Sequence, residues 1–598
     1  MEKNKTKLVK VRHLTPYQSM TKGVPNINKK YIADHLSKKT DSFISAFPVF
    51  IDAQTGAGKN YYVENYLIPN AVRENEKILL LSNRVATDIA EKKRIAKLTG
   101  CFSELDKKMK DLAWGDIEQL GNVVIMTYQA FWNNWDIKKL NFKYVVVDEC
   151  HFFWSDSSFS HDTERTLDKI INNFQSSVRI YMTATPCNIF PIIQEKEGTN
   201  VRICPKSDAI WCNSEYLCNN AHVCIYRNDP RQFKQIYKNR EISLCDRIGD
   251  CRFKVNQSHF QFFRFKYNYS YIKEIVQFDN ESELIEIINN SKENEKWLVF
   301  VDSSKLGEEL EKTLENSTFI NAKNKMTDKD SANCFNTIVT TEKFEQKTLI
   351  ATSVLDNGVN IKDSSVKNIV IYADNPETFI QMLGRVRITN DKQMLKLYIK
   401  NQDISTLKRR LNDCEDVIKA VEYLEKHGSN SFNIKYFDNS NLYEIANKVT
   451  YHEIDGKVKL NKIGKKFYET KIEELTKIID YISKENAANN NTFARYVCSN
   501  WLKINTKCIR KIDKKADFIN FLEGYLKVPI QGEENQKNFC FELKKEYISA
   551  FGTIDQPRRF DKEKALTTLI RKQNLPYTIE LTGDSWQVVK TKEKMEDK

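Results

Sequence analysis

Short apolar runs, nearly continuous rather than alternating, recur through the first part of the chain and predict the strands of a parallel sheet. Five of them lie between residues 47 and 184, namely FPVFIDA (47–53), KILLLS (77–82), NVVIMT (122–127), YVVVDE (144–149) and VRIYMTA (178–184). A strand that is covered on both faces is apolar at successive positions, whereas a half-exposed strand alternates. Segments with helical spacing, such as 162–174, separate the runs and would supply the crossovers. The pattern predicts a doubly wound α/β domain.

The same pattern returns after residue 295 and predicts a second α/β domain. Its runs are WLVFVD (297–302), TLIAT (348–352), NIVIYA (368–373) and LKLYI (395–399). From about residue 403 the spacing becomes helical and stays mainly so. We predict a basic N-terminal arm (1–40), a first domain (41–190), outer strands with a connection (191–290), a second domain (291–402) and a mainly helical accessory region (403–598).

The end of the chain differs from the helical region before it. The helix-like DKEKALTTLIRKQ is followed by YTIELTGDSWQVVK, two strand-like runs around Thr582-Gly583-Asp584. A Gly-containing turn between two such runs is a hairpin signal. A helix followed by this hairpin is compatible with a winged-helix module or with an ordinary capping element.

Composition places the chain among globular proteins and adds little about its partners. The 598 residues include 41% hydrophobic residues, and 93 Lys and Arg against 80 Asp and Glu give a formal charge of +13. This excess is compatible with a polyanionic partner. The sequence has no apolar run long enough to span a bilayer and no secretory signal, so we expect a cytoplasmic location.

The 14 cysteines are expected to be reduced thiols. The densest group contains no CxxC pair, which favours buried thiols over a zinc site, although thiolate and imidazole are the usual zinc ligands. This group consists of Cys204, Cys212, Cys218, His222 and Cys224.

The segment FIDAQTGAGKN (50–60) predicts a phosphate-binding loop after a strand. Gly56 and Gly58 would let backbone N–H groups approach an anion, and Lys59 would reach the terminal phosphates. Two positions depart from the strict pattern of such loops: Ala53 replaces the first Gly, and Asn60 replaces the hydroxyl residue that holds Mg²⁺. The amide oxygen of Asn60 can still offer the ion a neutral ligand.

Two adjacent carboxylates end the apolar run YVVVDE. Asp148 and Glu149 would be costly to desolvate there unless they meet a cation and a reacting water. We therefore expect Asp148 to hold Mg²⁺ and Glu149 to orient or deprotonate the attacking water.

Taken in order, these motifs resemble those of superfamily 2 helicases of the DExH type. Asp148-Glu149-Cys150-His151 is similar to their DECH box, and Thr183-Ala184-Thr185-Pro186 to the TAT motif that couples ATP hydrolysis to strand movement. The resemblance implies coupling roles for His151, Thr183 and Thr185. Further residues fall where the first domain of such enzymes grips the nucleic-acid backbone, namely Ser82, Arg84 and Thr127.

The resemblance continues in the second half of the chain. The strand with Asp302-Ser303-Ser304 resembles motif IV, ATSVLDNGVN (351–360) resembles motif V, and QMLGRVR (381–387) resembles motif VI. Motif VI usually spaces its arginines three apart, and here they are two apart, which favours Arg385 over Arg387 as the arginine finger. The resemblance implies one role for each of the following residues: Ser303 and Thr352 bind nucleic acid, Gly358 approaches the nucleotide, Gln381 lies near the γ-phosphate, and Arg385 and Arg387 are arginine-finger candidates.

The resemblance implies an α/β fold with two tandem RecA-like domains and ATP and Mg²⁺ as cofactors. The nucleotide would be held by Thr55, Gly56, Ala57, Gly58, Lys59, Asn60 and Gly358, and the metal by Asn60 and Asp148. Catalysis would rest on Lys59, Glu149, Gln381, Arg385 and Arg387.

The implied function is an ATP-dependent helicase or translocase that moves 3′-to-5′ on a single strand, with DNA favoured over RNA. The form of the motifs is similar to helicases of bacterial plasmids, phages and mobile elements, with replication or defence proteins as partners. Two alternatives stay open: a duplex-tracking translocase of a restriction, repair or defence complex, and a nucleic-acid-binding module whose ATPase has lapsed.

Overall fold

The structure of the protein is a computed structural model. It describes residues 15–21, 24–43, 45, 48–83, 89–103, 105, 117–134, 136–137, 140–160, 162–197, 202–203, 216–217, 233–237, 240–245, 255–256, 261–352, 355, 359–388, 393–453, 455–483, 492–506, 509–511, 514–551, 554, 561–573 and 575–591. The cysteine and histidine group between 204 and 224, together with Arg84 and Gly358, lies outside these residues.

The first domain is built on an eight-stranded sheet, in which the short strand Gln119–Leu120 pairs antiparallel and the other pairs are parallel. Its central strands are buried on both faces, which accounts for their apolar runs. The strand order is Asn26–Ile27, Gln261–Phe265, Val49–Asp52, Val178–Thr183, Tyr144–Asp148, Ile78–Ser82, Val123–Thr127 and Gln119–Leu120.

Helices cover both faces of this sheet. In the helix Thr163–Asn173, Leu167, Ile170 and Ile171 are buried, as the helical spacing predicts. The α-helices are Pro16–Met20, Ala33–Leu36, Lys59–Tyr62, Ile68–Arg73, Ile89–Leu98, Tyr128–Asn133, Phe152–Ser155, Thr163–Asn173 and Pro186–Lys196, with 3₁₀ turns Thr40–Ser42 and Asp156–Ser158 and a π turn Val63–Leu67.

Residues 15–21 and 24–40 pack into the first domain, although the basic sequence there suggests a separate arm. Tyr17, Ile32 and Leu36 are buried, and Asn26–Ile27 adds a parallel strand beside Gln261–Phe265. A few apolar residues at irregular spacing are enough to dock the segment, and such residues give no periodic signal.

A second parallel sheet begins at Ile272, earlier than the boundary at residue 291 that the apolar runs suggest. Its strand order is Ser317–Ile320, Thr348–Ala351, Lys296–Phe300, Val366–Ile371, Leu395–Lys400, Ile272–Phe278 and Ile509–Lys511. The helices of this domain are Glu281–Asn290, Ser304–Thr313, Asn324–Thr327, Lys329–Thr341 and Pro376–Leu383.

A helical region follows and shares its core with the second sheet, through residues such as Leu407, Val417 and Leu475. Its longest helix, Ile404–Phe432, is interrupted at Gly428, whose φ is 75°. The other elements are the helices Ser440–Asn447, Lys462–Ser483 and Phe493–Tyr496, the π turns Asn433–Phe437 and Val497–Leu502, and the hairpin Thr450–His452 with Val458–Leu460. Among the described residues, no helix is long and apolar enough to cross a membrane.

Residues Arg510–Lys598 form a compact unit of their own. It contains the helices Lys514–Gly524, Glu533–Phe551 and Glu563–Arg571, and a sheet ordered Ile530–Gln531, Ser585–Lys590, Tyr577–Thr582. Five further strands lie between the two large sheets in sequence: Arg202–Ile203, Tyr216–Leu217, Phe233–Tyr237, Arg240–Cys245 and Val255–Asn256. The predicted fold class, parallel-sheet α/β domains followed by a mainly helical region, is confirmed.

Candidate nucleotide-binding site

The loop after the strand Val49–Asp52 has the backbone of an anion cradle. Gly56 and Gly58 have φ of 90° and 80°, values that favour glycine, and a helix begins at Lys59. The hydroxyl of Thr55 is buried and has no hydrogen-bond partner among the described residues. A buried hydroxyl without a partner in such a loop is available to a phosphate oxygen.

Lys59 and the acidic strand end meet at this loop. The Lys59 side chain is 5% exposed, and its Nζ lies 3.5 Å from Oε1 of Glu149 and 3.4 Å from the carbonyl oxygen of Ala53. Glu149 has φ of 48°, a left-handed value that is uncommon for a residue other than glycine. A strained backbone at a buried carboxylate is typical of active sites.

A chain of polar contacts leads from Glu149 to the TAT segment. His151 Nδ1 lies 3.4 Å from Oε2 of Glu149 and 3.3 Å from Oγ1 of Thr183. The same Thr183 oxygen accepts a hydrogen bond from the backbone N–H of Thr185 at 3.0 Å. The three predicted coupling residues therefore form one contiguous series with the predicted base.

The helix that follows Thr185 reaches the second domain through a part-buried hydrogen bond. Asn188, on the helix that starts after Thr185, donates to Oε1 of Glu377 at 2.6 Å. Glu377 begins the helix that carries motif VI, and its burial raises the pKa of the carboxyl group, against the opposing effect of the Asn188 hydrogen bond. This hydrogen bond joins the helix that follows the TAT segment to the helix that leads into motif VI.

Motif VI places two groups against the phosphate loop. A Cβ atom added to Gly384 would lie 2.6 Å from Cβ of Thr55, and one added to Gly56 would lie 3.0 Å from Nη1 of Arg387. Arg387 is oriented by a hydrogen bond from its Nε to Oδ1 of Asn360 at 2.8 Å. The two domains therefore approach each other closely at Thr55 and Gly56 of the loop.

The other two motif VI residues lie deeper. Arg385 is 2% exposed and donates from Nη2 to Oε1 of Gln381 at 3.1 Å, while Gln381 is 3% exposed. Nε2 of Gln381 has no hydrogen-bond partner among the described residues. The structure thus brings Arg387 to the loop and keeps Arg385 bonded to Gln381 behind it.

An open cleft of about 1670 Å³ runs between the loop and motif VI. Its walls include Glu149, Asn60 and Arg387, together with Tyr31 and Glu64, which the motif analysis did not identify. Tyr31 reaches the cleft because the backbone N–H of Ile32 donates to the carbonyl of Ala57 at 3.0 Å. A backbone bond ties the segment around Tyr31 to the loop. Because such a bond does not depend on a particular side chain, no sequence motif marks Tyr31 as a cleft residue.

The segment that joins the two sheets, 266–271, is bonded to the phosphate loop. Gln54 of the loop accepts from the backbone N–H of Asn268 at 2.8 Å and donates to its carbonyl at 3.1 Å. The Tyr267 hydroxyl lies 2.8 Å from Oδ1 of Asp52 and 2.6 Å from the carbonyl oxygen of Ala184. The segment between the two sheets is thereby connected to both the loop and the TAT segment, which sequence reasoning missed because this aromatic stretch matches no motif.

The predicted nucleic-acid contacts lie at the carboxyl ends of strands. Ser82 and Thr127 are register partners on neighbouring strands, and Thr127 caps the helix Tyr128–Asn133 by accepting from the N–H of Ala130 at 3.0 Å. Ser303 likewise caps the helix Ser304–Thr313, and Thr352 directly follows the strand Thr348–Ala351 beside it. A capping hydroxyl still has its own hydrogen to donate to a phosphate.

Adding a methyl group at Gly384 is expected to lower ATP turnover about 100-fold, because it forces motif VI away from Thr55 and a misplacement of about 1 Å can cost that much. Steady-state ATPase assays of Gly384→Ala measure the effect. Gly524→Ala is the matched control, since a Cβ there meets nothing within 4 Å. Equal turnover in Gly384→Ala and wild type would show that the observed approach of the domains is not used.

Two family models match the sequence. The model described as "Type III restriction enzyme, res subunit" matches residues 28–188, and the model described as "Helicase conserved C-terminal domain" matches residues 279–389. The first range contains the central strands of the first sheet and the phosphate loop, and the second contains central strands of the second sheet and motif VI. The matches agree with two tandem RecA-like domains, as the motif order predicts.

Solved helicase structures are similar to the chain at low identity. Dbp5 of S. cerevisiae bound to RNA and ADP BeF3 is 12% identical with a TM-score of 0.37, covering 60% of this chain and 80% of that one. The helicase Lhr of Mycobacterium smegmatis bound to ssDNA and AMP-PNP is 10% identical with a TM-score of 0.38, covering 72% and 58%. These similarities are too weak to add to the family matches, and no curated protein matches the sequence significantly.

Proposed function

We propose that this chain, an ATP-hydrolysing helicase of superfamily 2, belongs to the DExH type and uses ATP to move 3′-to-5′ along a single strand of DNA. The observation that carries the proposal is the Lys59–Glu149 pair at the phosphate loop, faced by Gly384 and Arg387 of the second domain. Phosphoryl transfer needs little covalent help from a protein, and it depends on groups positioned around the γ-phosphoryl oxygens. The two walls of the cleft provide such groups.

Each group has one role in the proposed reaction. Backbone N–H groups of the loop and the Lys59 ammonium hold the β- and γ-phosphates, and the Glu149 carboxylate takes the proton of the attacking water. Arg387 neutralises charge that builds on the γ-phosphoryl oxygens from the opposite wall. Because the two domains share the nucleotide, hydrolysis loosens their contact, and the resulting opening moves the bound strand.

Mg²⁺ fits the oxygen ligands beside the loop. The Asn60 side chain lines the cleft, and Asp148 ends the strand whose next residue is Glu149. A carboxylate and an amide oxygen are ligands of the kind that Mg²⁺ takes, with water and phosphate completing its shell. Asn60 and Asp148 would hold the ion, which would neutralise negative charge on the phosphates.

The strand would run across the carboxyl ends of both sheets. There Ser82 and Thr127 of the first domain, and Ser303 and Thr352 of the second, offer hydroxyl groups and helix N-termini to phosphates. Such contacts carry no base information, so binding is expected to tolerate sequence and to weaken steeply with salt.

The alternatives make different demands on the site. A protein that no longer hydrolyses ATP does not need a carboxylate held in a left-handed conformation beside a buried lysine. The presence of this pair therefore favours an active enzyme. A duplex-tracking translocase would share the ATP site, so only the nucleic-acid preference separates it from a single-strand motor. The form of the motifs favours a helicase of a mobile element, acting with replication or defence proteins.

The proposal is tested by measuring ATP turnover with single-stranded and duplex DNA and RNA. Turnover is expected to be stimulated most by single-stranded DNA and to be absent in Lys59→Ala. Stimulation by duplex alone would favour the duplex-tracking alternative, and greater stimulation by RNA would reverse the DNA preference. Turnover that is absent under every condition would establish the lapsed enzyme.

A further inference from the structure

We propose that the C-terminal unit, Arg510–Lys598, is a winged-helix module that binds duplex DNA with the helix Glu563–Arg571 in the major groove. The proposal concerns a second nucleic-acid site, and it is independent of the ATP site and of the motor function. It rests on the connectivity of the unit, on its core and on the charges left exposed.

The order of elements in the unit is helix, strand, helix, helix, strand, strand. The short strand Ile530–Gln531 pairs with Ser585–Lys590, and this strand pairs in turn with Tyr577–Thr582. The strand Ile530–Gln531 therefore forms a three-stranded sheet together with the two strands of the C-terminal hairpin. An ordinary capping element does not need this third strand. A helix-turn-helix variant with an appended hairpin has this order of helices and strands.

The unit has its own hydrophobic core, which holds the third helix against the hairpin. Leu566, Leu569 and Ile570 of the helix Glu563–Arg571 are buried in it, with Trp586 and Val588 of the hairpin. The helix is also fixed by polar bonds, because the Thr567 hydroxyl accepts from the backbone N–H of Ile579 at 2.8 Å and donates to its carbonyl at 3.2 Å. A helix held in this way can enter a groove as a rigid body.

The opposite face of the same helix is exposed and basic. Lys564, Thr568 and Arg571 recur at helical spacing on that face, and Lys562 precedes the first turn. Among the described residues, Lys562, Lys564 and Arg571 form no ion pair with an acidic side chain, whereas Asp561 is paired with Lys544. Unpaired cations on one helix face match a phosphate-lined groove.

The hairpin places a second contact beside the helix. Its tip, Thr582–Asp584, is exposed, and Leu581 next to it is 59% exposed, unusually high for a large apolar side chain. The tip can therefore reach the backbone or the neighbouring groove while the helix occupies the major groove.

The geometry selects duplex DNA over duplex RNA. The major groove of B-form DNA is about 12 Å wide and admits an α-helix, while that of A-form RNA is too deep and narrow for side chains to read. The exposed helix face offers Lys, Arg and Thr, residue types that bind phosphates and the base edges of G and other bases.

The test uses the full chain without nucleotide and a short blunt-ended DNA duplex, which offers no single strand to the motor domains. Binding is followed by fluorescence anisotropy as a function of salt. The double variant Lys564→Gln/Arg571→Gln is expected to bind more weakly and to lower the slope of log affinity against log salt by about 2, that is, by about one for each lost phosphate contact. The matched control Lys527→Gln/Lys537→Gln removes two exposed charges from other elements of the same unit and should leave the slope unchanged.

The outcome decides between clear alternatives. An unchanged slope in Lys564→Gln/Arg571→Gln, or an equal loss in the control, would overturn the assignment of this helix face. Equally tight binding of duplex RNA, with the same response to the variants, would overturn the major-groove geometry. ATP turnover stimulated by single strands should be the same in all three proteins, because neither pair of residues belongs to the ATP site.

Discussion

Replacing Glu149 with Gln is expected to reduce ATP turnover by at least about 100-fold while ATP still binds, because general-base catalysis contributes roughly 10²–10⁴ in rate. The substitution keeps the shape of the side chain and removes the charge that faces Lys59 at 3.5 Å and His151 at 3.4 Å. Lys59 remains free to bind phosphate, so the loss should appear in kcat. Steady-state kinetics together with binding of a fluorescent ATP analogue separate the two effects.

Glu64 provides the control for this experiment. It is a buried carboxylate that also lines the cleft and is paired with a cation, Arg94, at 3.1 Å. Glu64→Gln removes the same charge from the same cleft without touching Lys59. Comparable loss in both variants would mean that the cleft needs acidic charge in general, and Glu149 would lose its assignment as the base.

The second large effect is expected at motif VI. Arg387→Ala should lower kcat by about 10³-fold or more, which is the range for an arginine that stabilises the transferring phosphoryl group. This loss corresponds to at least about 4 kcal/mol of transition-state stabilisation. Its Nη1 already lies against Gly56 of the phosphate loop, and Asn360 holds the guanidinium in place. Single-turnover hydrolysis with saturating ATP measures the loss at the chemical step.

Two comparisons make the result specific to Arg387. Lys362 lines the same cleft and is paired with Glu342, so Lys362→Ala removes a cleft cation that is already neutralised and should have little effect. Arg385→Ala breaks the buried bond to Gln381 and is expected to affect stability as well as rate. If Arg385→Ala abolished single-turnover chemistry and Arg387→Ala did not, the arginine finger would be Arg385.

The parts of the site that follow strands could be predicted from the sequence. The loop at Lys59 and the carboxylates at Asp148 and Glu149 each come directly after an apolar run, so strand position and chemistry are visible together. The TAT segment is marked in the same way by the strand Val178–Thr183. Such local patterns can be recognised in a single sequence because they depend on residues that are neighbours along the chain.

The contacts that depend on long-range packing could not be predicted. Tyr31 reaches the cleft through a backbone bond to Ala57, and Tyr267 ties the segment between the two sheets to Asp52 and Ala184. The spacing of the two arginines favoured Arg385 as the arginine finger, whereas the structure places Arg387 against the loop and bonds Arg385 to Gln381. The C-terminal hairpin was visible, but its third strand, Ile530–Gln531, is only two residues long and gives no pattern.

The most direct test of the central claim, an ATP-driven motor on a single strand, is displacement of streptavidin from an oligonucleotide that carries biotin at one end. A motor that moves 3′-to-5′ runs toward the 5′ end. We expect ATP-dependent release from the 5′ end of single-stranded DNA, none from the 3′ end, and none at either end with Glu149→Gln. Wild-type protein that hydrolyses ATP on single-stranded DNA but releases streptavidin from neither end would contradict it.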